Sequence, residues 1–416
     1  MTAGLPYVVW MAPTSWDGIP GTDRPLAMAL TRYARVLWVD PPVSPVTPAR
    51  LRGEVSGGLL PALTGIDERI TRLTPVALPG LTRPGIRTTT APLVRAQVRW
   101  ALRKRGIRPF AVVAGYLEDL LGRWGDAVNV IYSTDDHVAG AELMGLSADR
   151  IRAQERLAAA HADVVVVVSP HLAGHWAALG SAPPVLIPNG SFPAYAGGVS
   201  PAPVISDMPG PVVGLIGQLT QRIDLSMLIA VADAGYSLLL VGPYDPRWER
   251  EGFAALTARP NVRYAGRVPA EAVPSYLASI DVGLIPYSAS AFNLASFPMK
   301  TLEYFSAGLP VVSADLPGSR WLRDSLAGFD AAHADQLMAL TSDPSEFVAA
   351  VRRLAGAPGS QAGPRERPAP GAEPARSAAA RAFADQHSWP RRADAFAAAI
   401  GLPAASPAHP AARAGR

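Results

Sequence analysis

Lys300 and Glu303 are the residues whose types and spacing point most directly to chemistry, inside the run Phe297–Ser313, FPMKTLEYFSAGLPVVS. The run reads as a loop, a short helix and a buried strand. Pro298 fits the first turn, Gly308 the stop, and Val311 and Val312 begin the strand. Three apart on a helix, Lys300 and Glu303 share one face. Lysine is scarce in this chain, where only Lys104 and Lys300 stand against dozens of arginines. A lysine in a first turn opposes the local dipole preference for acids. Its charge, added to exposed amide N–H groups, makes a site for an anion such as a phosphate. Glu303, one turn later, can accept paired hydrogen bonds from a vicinal diol such as a ribose. The plainer alternative is a surface ion pair on an ordinary helix, so the choice rests on the rest of the chain.

Other constellations bear on that choice. Val212–Asp224 (VVGLIGQLTQRID) reads as a strand, a glycine turn and a helix start. Gly217 would let the backbone approach a pyrophosphate and Arg222 could fork onto its oxygens; the alternative is a simple turn with Asp224 as N-cap. Near the start, Trp16–Arg24 (WDGIPGTDR) is a loop bearing Gly18 and Gly21 ahead of a helix that Thr22 or Asp23 can cap,. Tyr132–His137 (YSTDDH) ends a strand with adjacent acids and a histidine, where Asp135, Asp136 or His137 could act as a general base,. Asp135 and Asp136 point to different sides, so one of them serves chemistry and the other caps a turn. A metal reading is weaker, because no D-x-D triplet exists and two adjacent acids make a poor cage,. His171 and His175 are four apart, but no glutamate completes an H-E-x-x-H pattern, and with His161 they read as structural,.

The chain that positions these groups has 416 residues, enough for two sizeable cores,. Hydrophobic residues at 49% and charged residues at 17% match a globular protein rather than a disordered one,. No apolar run approaches the ~18 residues needed to span a bilayer. The opening MTAGLPYVVW goes directly into a strand without a basic leader, which predicts a cytoplasmic protein,. Without cysteine there is no disulfide, thiolate zinc site or cysteine nucleophile,. Thr88–Arg108 reads as a helix bearing Arg95, Arg99, Arg103, Lys104, Arg105 and Arg108, with Trp100 among its apolar positions. It suits either a peripheral contact with anionic lipid headgroups at the inner face of a membrane or an ordinary solvated face. No nucleic-acid motif accompanies the charge.

β-Branched runs alternate with helical stretches in both halves, which predicts α/β domains with parallel sheets. The expected first domain spans 1–190, with strands at Tyr7–Trp10, Val36–Val39, Ile70–Leu73, Ala111–Ala114, Val128–Tyr132, Val164–Val168 and Val185–Ile187. A Pro/Ala/Gly-rich linker occupies 191–211. The second domain spans 212–355, with strands at Val212–Ile216, Leu238–Val241, Val262–Tyr264, Val282–Ile285 and Leu309–Ser313. Composition makes 356–376 a disordered segment, 377–401 helical with a break at Pro390, and 402–416 a low-complexity tail,.

The run around Glu303 resembles the donor signature of GT-B glycosyltransferases, especially family-four and teichuronic-acid-type enzymes. Glu303 matches the second glutamate of their motif and Ala307–Val312 (AGLPVV) the run after it, while Ala295 holds the place of the first glutamate, which contacts the donor sugar. Asn293 or Lys300 would take over that contact. NVRYAGRVPAEAVPSYLASIDVGLIPY resembles the GT-B stretch beside the nucleobase, which implies base contacts near Arg267 and Val268, with Gly242 ending the preceding strand. The resemblance covers nearly the whole chain except the Pro-rich segment and tail. It implies two Rossmann-like doubly wound domains facing each other across a cleft, acceptor in the first and donor in the second. The first loop, with Gly18, Gly21 and Thr22, would lie near donor phosphates and acceptor, and HSWPRRADAF would belong to a terminal helix crossing back to the first domain. The implied activity is a metal-independent, hexosyltransferase-type transfer from a UDP- or GDP-sugar, with no cofactor beyond that substrate. The acceptor would be a cell-envelope polysaccharide or glycolipid. A nucleotide-sugar epimerase and a non-catalytic GT-B binding subunit are the competing expectations.

Overall fold

The computed structural model describes residues 4–18, 21–44, 60–80, 83, 85–141, 147–191, 199–360 and 374–404. Most of the predicted disordered segment, the tail from 405 onward and 192–198 of the predicted linker lie outside them. The chain divides into two compact units, Met1–Asn189 with Trp389–Arg416, and Gly190–Ser388.

In the first unit the described strands are β1 (Tyr7–Met11), β2 (Arg35–Val39), β3 (Ala62–Gly65), β4 (Ile70–Thr74), β5 (Pro109–Ala114), β6 (Val128–Ser133), β7 (Val164–Val167) and β8 (Val185–Leu186). They form one sheet in the order β3-β4-β2-β1-β5-β6-β7-β8, parallel except for β3, which runs antiparallel to β4. Strand order reverses between β1 and β5, so loops from those two carboxyl ends flank an open crevice, the usual ligand position in such sheets. The apolar runs that predict the strands are buried here: Val8–Met11, Val36–Val39 and Val165–Val168 are essentially inaccessible, as sheets covered on both faces require.

The second unit has β9 (Val212–Ile216), β10 (Ser237–Val241), β11 (Val262–Tyr264), β12 (Val282–Ile285), β13 (Val311–Ala314) and β14 (Met338–Thr341). Their order is β11-β10-β9-β12-β13-β14, all parallel, with the reversal between β9 and β12. Helix Met299–Ser306 is fastened across that reversal. Its Tyr304 is fully buried and takes the N–H of Ile216 on its hydroxyl at 3.0 Å. Gly283 on β12 provides the room, since a Cβ there would sit 2.4 Å from the tyrosine ring. Gly308, at φ +74°, ends the helix in the left-handed conformation glycine permits,.

Two expectations of chain organisation meet different physics. The described part of 191–211 is docked rather than free: Ala202, Ile205 and Met208 are buried. Ala202 N–H donates to Ser279 Oγ at 2.8 Å, and Ser237 Oγ donates to the Pro209 carbonyl at 2.6 Å. The terminal stretch 377–401 is helical with a break, and the break falls at His387 and Ser388, ahead of Pro390. Ala375–Gln386 belongs to the second unit, where Phe383 packs against Phe305, whereas Trp389–Ala399 belongs to the first. There Phe396 lies 5.5 Å from the Trp10 ring, and Tyr33 Oη donates to Asp394 Oδ1 at 2.6 Å. Pro390 sits in the first turn of that second helix, where its missing N–H costs nothing,. No helix among the described residues is long and apolar enough to cross a membrane.

Candidate functional site

The second unit gathers most of the sequence-predicted donor residues at the carboxyl ends of β9, β10 and β12. Gly217 follows β9 and donates its N–H to the Val241 carbonyl at 2.8 Å. Gly242 follows β10 at φ +133°, and a Cβ on it would fall 1.8 Å from the Gly217 carbonyl oxygen. Only glycine fits such an approach. On the other side of Gly217 lies the Lys300 stem, whose Cε would be 3.1 Å from a Cβ at 217. The Lys300 ammonium donates to Glu303 Oε2 at 2.6 Å, the helical i, i+3 pair that the spacing predicts. Both side chains are partly accessible, at 28% and 18%, so a ligand can reach them. Burial works against the charge on Lys300, but Glu303 outweighs it and holds the ammonium above its ordinary range,.

Arg222 is held from several directions. Its Nε–H donates to Asn293 Oδ1 at 2.8 Å, and its guanidinium carbon lies 4.9 Å from the ring centroids of both Tyr287 and Phe292. Asn293 Nδ2 donates back to the Arg222 carbonyl at 2.8 Å and to the Ser288 carbonyl at 2.9 Å. With 1% exposure and its amide so engaged, Asn293 secures an arginine and is not placed to contact a sugar. Ala295 is fully buried, so the position of the family's first glutamate is a packing position here. Asp224 caps helix Leu225–Asp233 through a 2.9 Å bond from Ser226 N–H, as its alternative reading expects. Beyond Gly242, whose N–H donates to the Gly266 carbonyl at 2.8 Å, Arg267 is exposed and Val268 half-buried. Tyr287 and Phe292 carry no motif in the sequence; only the aromatic spacing beside Asn293 could have drawn attention to them.

The first unit is different in sign. Asp135 and Asp136 separate as expected. Asp135 is half-buried and accepts from Thr134 Oγ1 at 3.1 Å. Asp136 Oδ1 accepts the Ala139 N–H at 2.8 Å, and its other oxygen lies 3.5 Å from His171 Nε2, so it is the turn-forming member. His137 lines a small recess with Tyr116, Ser133 and Trp176. His175 pairs with the buried Glu155 at 3.0 Å, and that bond raises its proton affinity. The two helix histidines thus face different acids. Among the described residues no group of three or more His, Cys, Asp or Glu is arranged to hold a metal.

Gly18 closes a tight turn, its N–H donating to Ser15 O at 3.0 Å. The loop is pinned by buried Asp40, which accepts from Trp16 N–H at 2.9 Å, Trp38 Nε1 at 3.1 Å, Thr74 Oγ1 at 2.8 Å and Arg72 Nε at 2.6 Å. Arg72 also reaches Asp17 at 2.6 Å. Gly21 is open, with only Asp23 Oδ2 within contact range of an added Cβ. Thr22 occupies the N-cap position of helix Asp23–Leu30 without a side-chain cap bond. Asp23 does not cap it either. It turns inward, is 2% exposed and accepts from Trp10 Nε1 at 3.0 Å. Gly115 leaves the space, since a Cβ there would be 2.5 Å from Asp23 Oδ1. Burial pushes the Asp23 carboxyl up to about 7 against the opposing Trp10 bond, and the like charge of Asp135 adds to the rise,.

Residues 210–356 match the family model for Glycosyl transferases group 1. TuaH of Bacillus subtilis (strain 168), named as a teichuronic acid biosynthesis glycosyltransferase, is 30% identical over 160 residues, and the chain spans 38% of the length of that relative and 38% of its own. Among solved structures, Anabaena HepE in complex with UDP-glucose is 14% identical with a TM-score of 0.63, covering 95% of this chain and 99% of HepE. WaaG, a glycosyltransferase involved in lipopolysaccharide biosynthesis, is 13% identical with a TM-score of 0.60, covering 95% and 99%. The chain therefore has the GT-B fold of glycosyltransferases, and its second unit is similar to the group 1 members.

Proposed function

We propose that the protein is a metal-independent glycosyltransferase that moves a hexose from a UDP- or GDP-sugar to a cell-envelope polysaccharide or glycolipid. The observation that carries this reading is the Lys300–Glu303 pair set against Gly217 at its close contact with Gly242, with Arg222 held in the loop that follows the same strand. Two cations close to a backbone turn without Cβ atoms suit a diphosphate. Lys300 and Arg222 hold it and stabilise the charge that grows on it as the bond to the sugar breaks. Glu303 takes the ribose hydroxyls, and Arg267 and Val268 flank the base. In the first unit Asp135 accepts the proton of the acceptor hydroxyl, since Asp136 is committed to its turn,. The new bond joins acceptor oxygen to the anomeric carbon, and the nucleoside diphosphate leaves. TuaH, HepE and WaaG support the reading by what their names and ligands state.

The test is turnover of UDP- and GDP-sugars by purified protein in EDTA, with and without polysaccharide and glycolipid acceptors. Acceptor-dependent release of UDP or GDP is the expected result. Interconversion of the donor sugar without an acceptor would indicate an epimerase, and tight nucleotide binding without any turnover a binding subunit.

A membrane contact belongs to the same reading in a narrower form than the sequence suggests. Arg95 is buried on Asp119, and Arg99 lies over Trp124 with a bond to the Arg123 carbonyl. The exposed remainder is Trp100, Arg103, Lys104, Arg105 and Arg108, with the Lys104 ammonium 5.1 Å from the Trp100 ring. An exposed indole among basic groups suits an anionic lipid surface.

A further inference from the structure

Arg222 is an ordinary arginine in sequence and an unusual one in its surroundings. The loop that carries it is strapped to the stretch after β12 by two backbone bonds, Asp224 N–H to Pro286 O at 2.8 Å and Ser288 N–H to Arg222 O at 2.9 Å, and by one side-chain bond, Asn293 Nδ2 to Arg222 O at 2.8 Å. Its guanidinium then lies against Tyr287 and Phe292, each 4.9 Å from the guanidinium carbon, with Nε bonded to Asn293. Among the described residues Nη1 and Nη2 have no hydrogen-bond partner. One edge of the fork is therefore fixed while the other is available. An unrestrained arginine loses rotamer freedom when it binds a phosphate; an arginine already held loses less.

We infer that Asn293, Tyr287 and Phe292 form a cradle that pre-orients Arg222 for a nucleoside diphosphate, making them positioning residues of the donor site. This rests on the donor reading above and extends it to residues that touch the arginine and not the ligand. The ring face matters for Arg222, and Tyr287→Phe keeps that face while Tyr287→Leu removes it.

Calorimetric titration with UDP and with uridine separates the possibilities, each variant first being shown to melt cooperatively. Arg222→Ala is expected to weaken UDP about tenfold or more, equal to about 1.4 kcal/mol. Asn293→Ala should reproduce most of that loss, and the double variant should be no weaker than Arg222→Ala alone, because both changes remove one unit. Tyr287→Leu should weaken UDP severalfold, with Tyr287→Phe within about threefold of the parent. Uridine, lacking the diphosphate, should bind all of them equally. If Asn293→Ala does not fold, the Tyr287 pair decides alone. Multiplying losses in the double variant, or a Tyr287→Leu protein with parental UDP affinity, overturns the cradle while leaving the donor site standing. Parental affinity in Arg222→Ala removes both the cradle and the assignment of Arg222 to the diphosphate.

Discussion

The candidate groups of the two units contrast in charge and in how they are held. In the second unit two cations are partly accessible and held in different ways: Lys300 by Glu303 three residues on, Arg222 by Asn293 some seventy residues later and by two aromatic rings. In the first unit they are acids, and the most perturbed of them, Asp23, is buried between Trp10 and the glycine at 115. Cations with paired counter-charges keep their charge at no great cost. A lone buried carboxyl does not, and the fold that retains one forgoes stability. The Lys300–Glu303 pair is thus built to hold charge steadily, and Asp23 to let it change near neutral pH.

Asp23→Asn is the sharpest way to break that contrast. The native carboxyl is raised from 3.8 to about 7 by burial. A raised acid means that the unfolded chain gives up its proton first. Stability is then complete below about pH 4, declines as pH rises toward 7, and stays low above it. Roughly three pH units at about 1.4 kcal/mol each set a ceiling of about 4 kcal/mol. Asparagine keeps an oxygen for the Trp10 bond and cannot ionise. Denaturant titrations should therefore show the variant matching the parent below about pH 4, drawing ahead of it as pH rises, and exceeding it most at pH 8. A variant less stable than the parent at pH 8 would mean that Asp23 is an ordinary ionised acid, and the contrast between the two units would go.

On the donor side the matching experiment is Lys300→Ala, expected to weaken UDP about 100-fold, or about 2.7 kcal/mol. Stability should change little, because the variant also releases Glu303 from a partly exposed pair,. Parental UDP affinity in calorimetry would remove Lys300 from the donor site.

What was legible in the second unit is what depends on local sequence. The strand Val212–Ile216, the glycine turn and the Lys300–Glu303 pair all follow from periodicity and spacing, and each lies where expected. What stayed hidden depends on tertiary contact. Asp23 reads as a cap because its inward turn is decided by Trp10 and Gly115, which are 13 residues earlier and some ninety later. Tyr287 and Phe292 have no pattern until Arg222 lies between them. Strands β3 and β14 are short, and neither ALTG nor MALT contains the β-branched run that identifies the others,. Basic residues on helix Arg87–Lys104 all look alike in sequence, yet burial takes Arg95 inside.

Paired glycine substitutions sharpen the comparison at smaller amplitude. Gly115→Ala places a methyl group 2.5 Å from Asp23 Oδ1 and 2.9 Å from Pro13 Cδ, atoms fixed by helix and ring. It should lower unfolding stability by about 1–3 kcal/mol. Gly217→Ala meets the Lys300 Cε at 3.1 Å, the far end of a flexible chain. It should leave the melting temperature nearly unchanged and cost a few-fold in UDP affinity. Equal stability losses in the two would show that the donor turn is as rigid as the acid pocket.

The smallest effect concerns the exposed basic end of helix Arg87–Lys104, which lies on the unit whose candidate site residues are acids. Arg95 and Arg99 already have partners within the fold, so the field available to a lipid surface comes from Arg103, Lys104, Arg105 and Arg108. Each exposed cation contributes at most about 1 kcal/mol near an anionic bilayer. Replacing Arg103 and Arg105 by glutamine should lower co-sedimentation with phosphatidylglycerol vesicles severalfold at low salt, and the difference should fade as salt rises. Trp100→Ala, which removes an indole 39% exposed, should weaken the same binding with little salt dependence, because its share is apolar. UDP affinity should be unchanged in both variants, since the cations of the donor site belong to the other unit. If vesicle binding survives both changes, this basic end is a solvated helix face, and the charge difference between the units concerns their candidate sites alone.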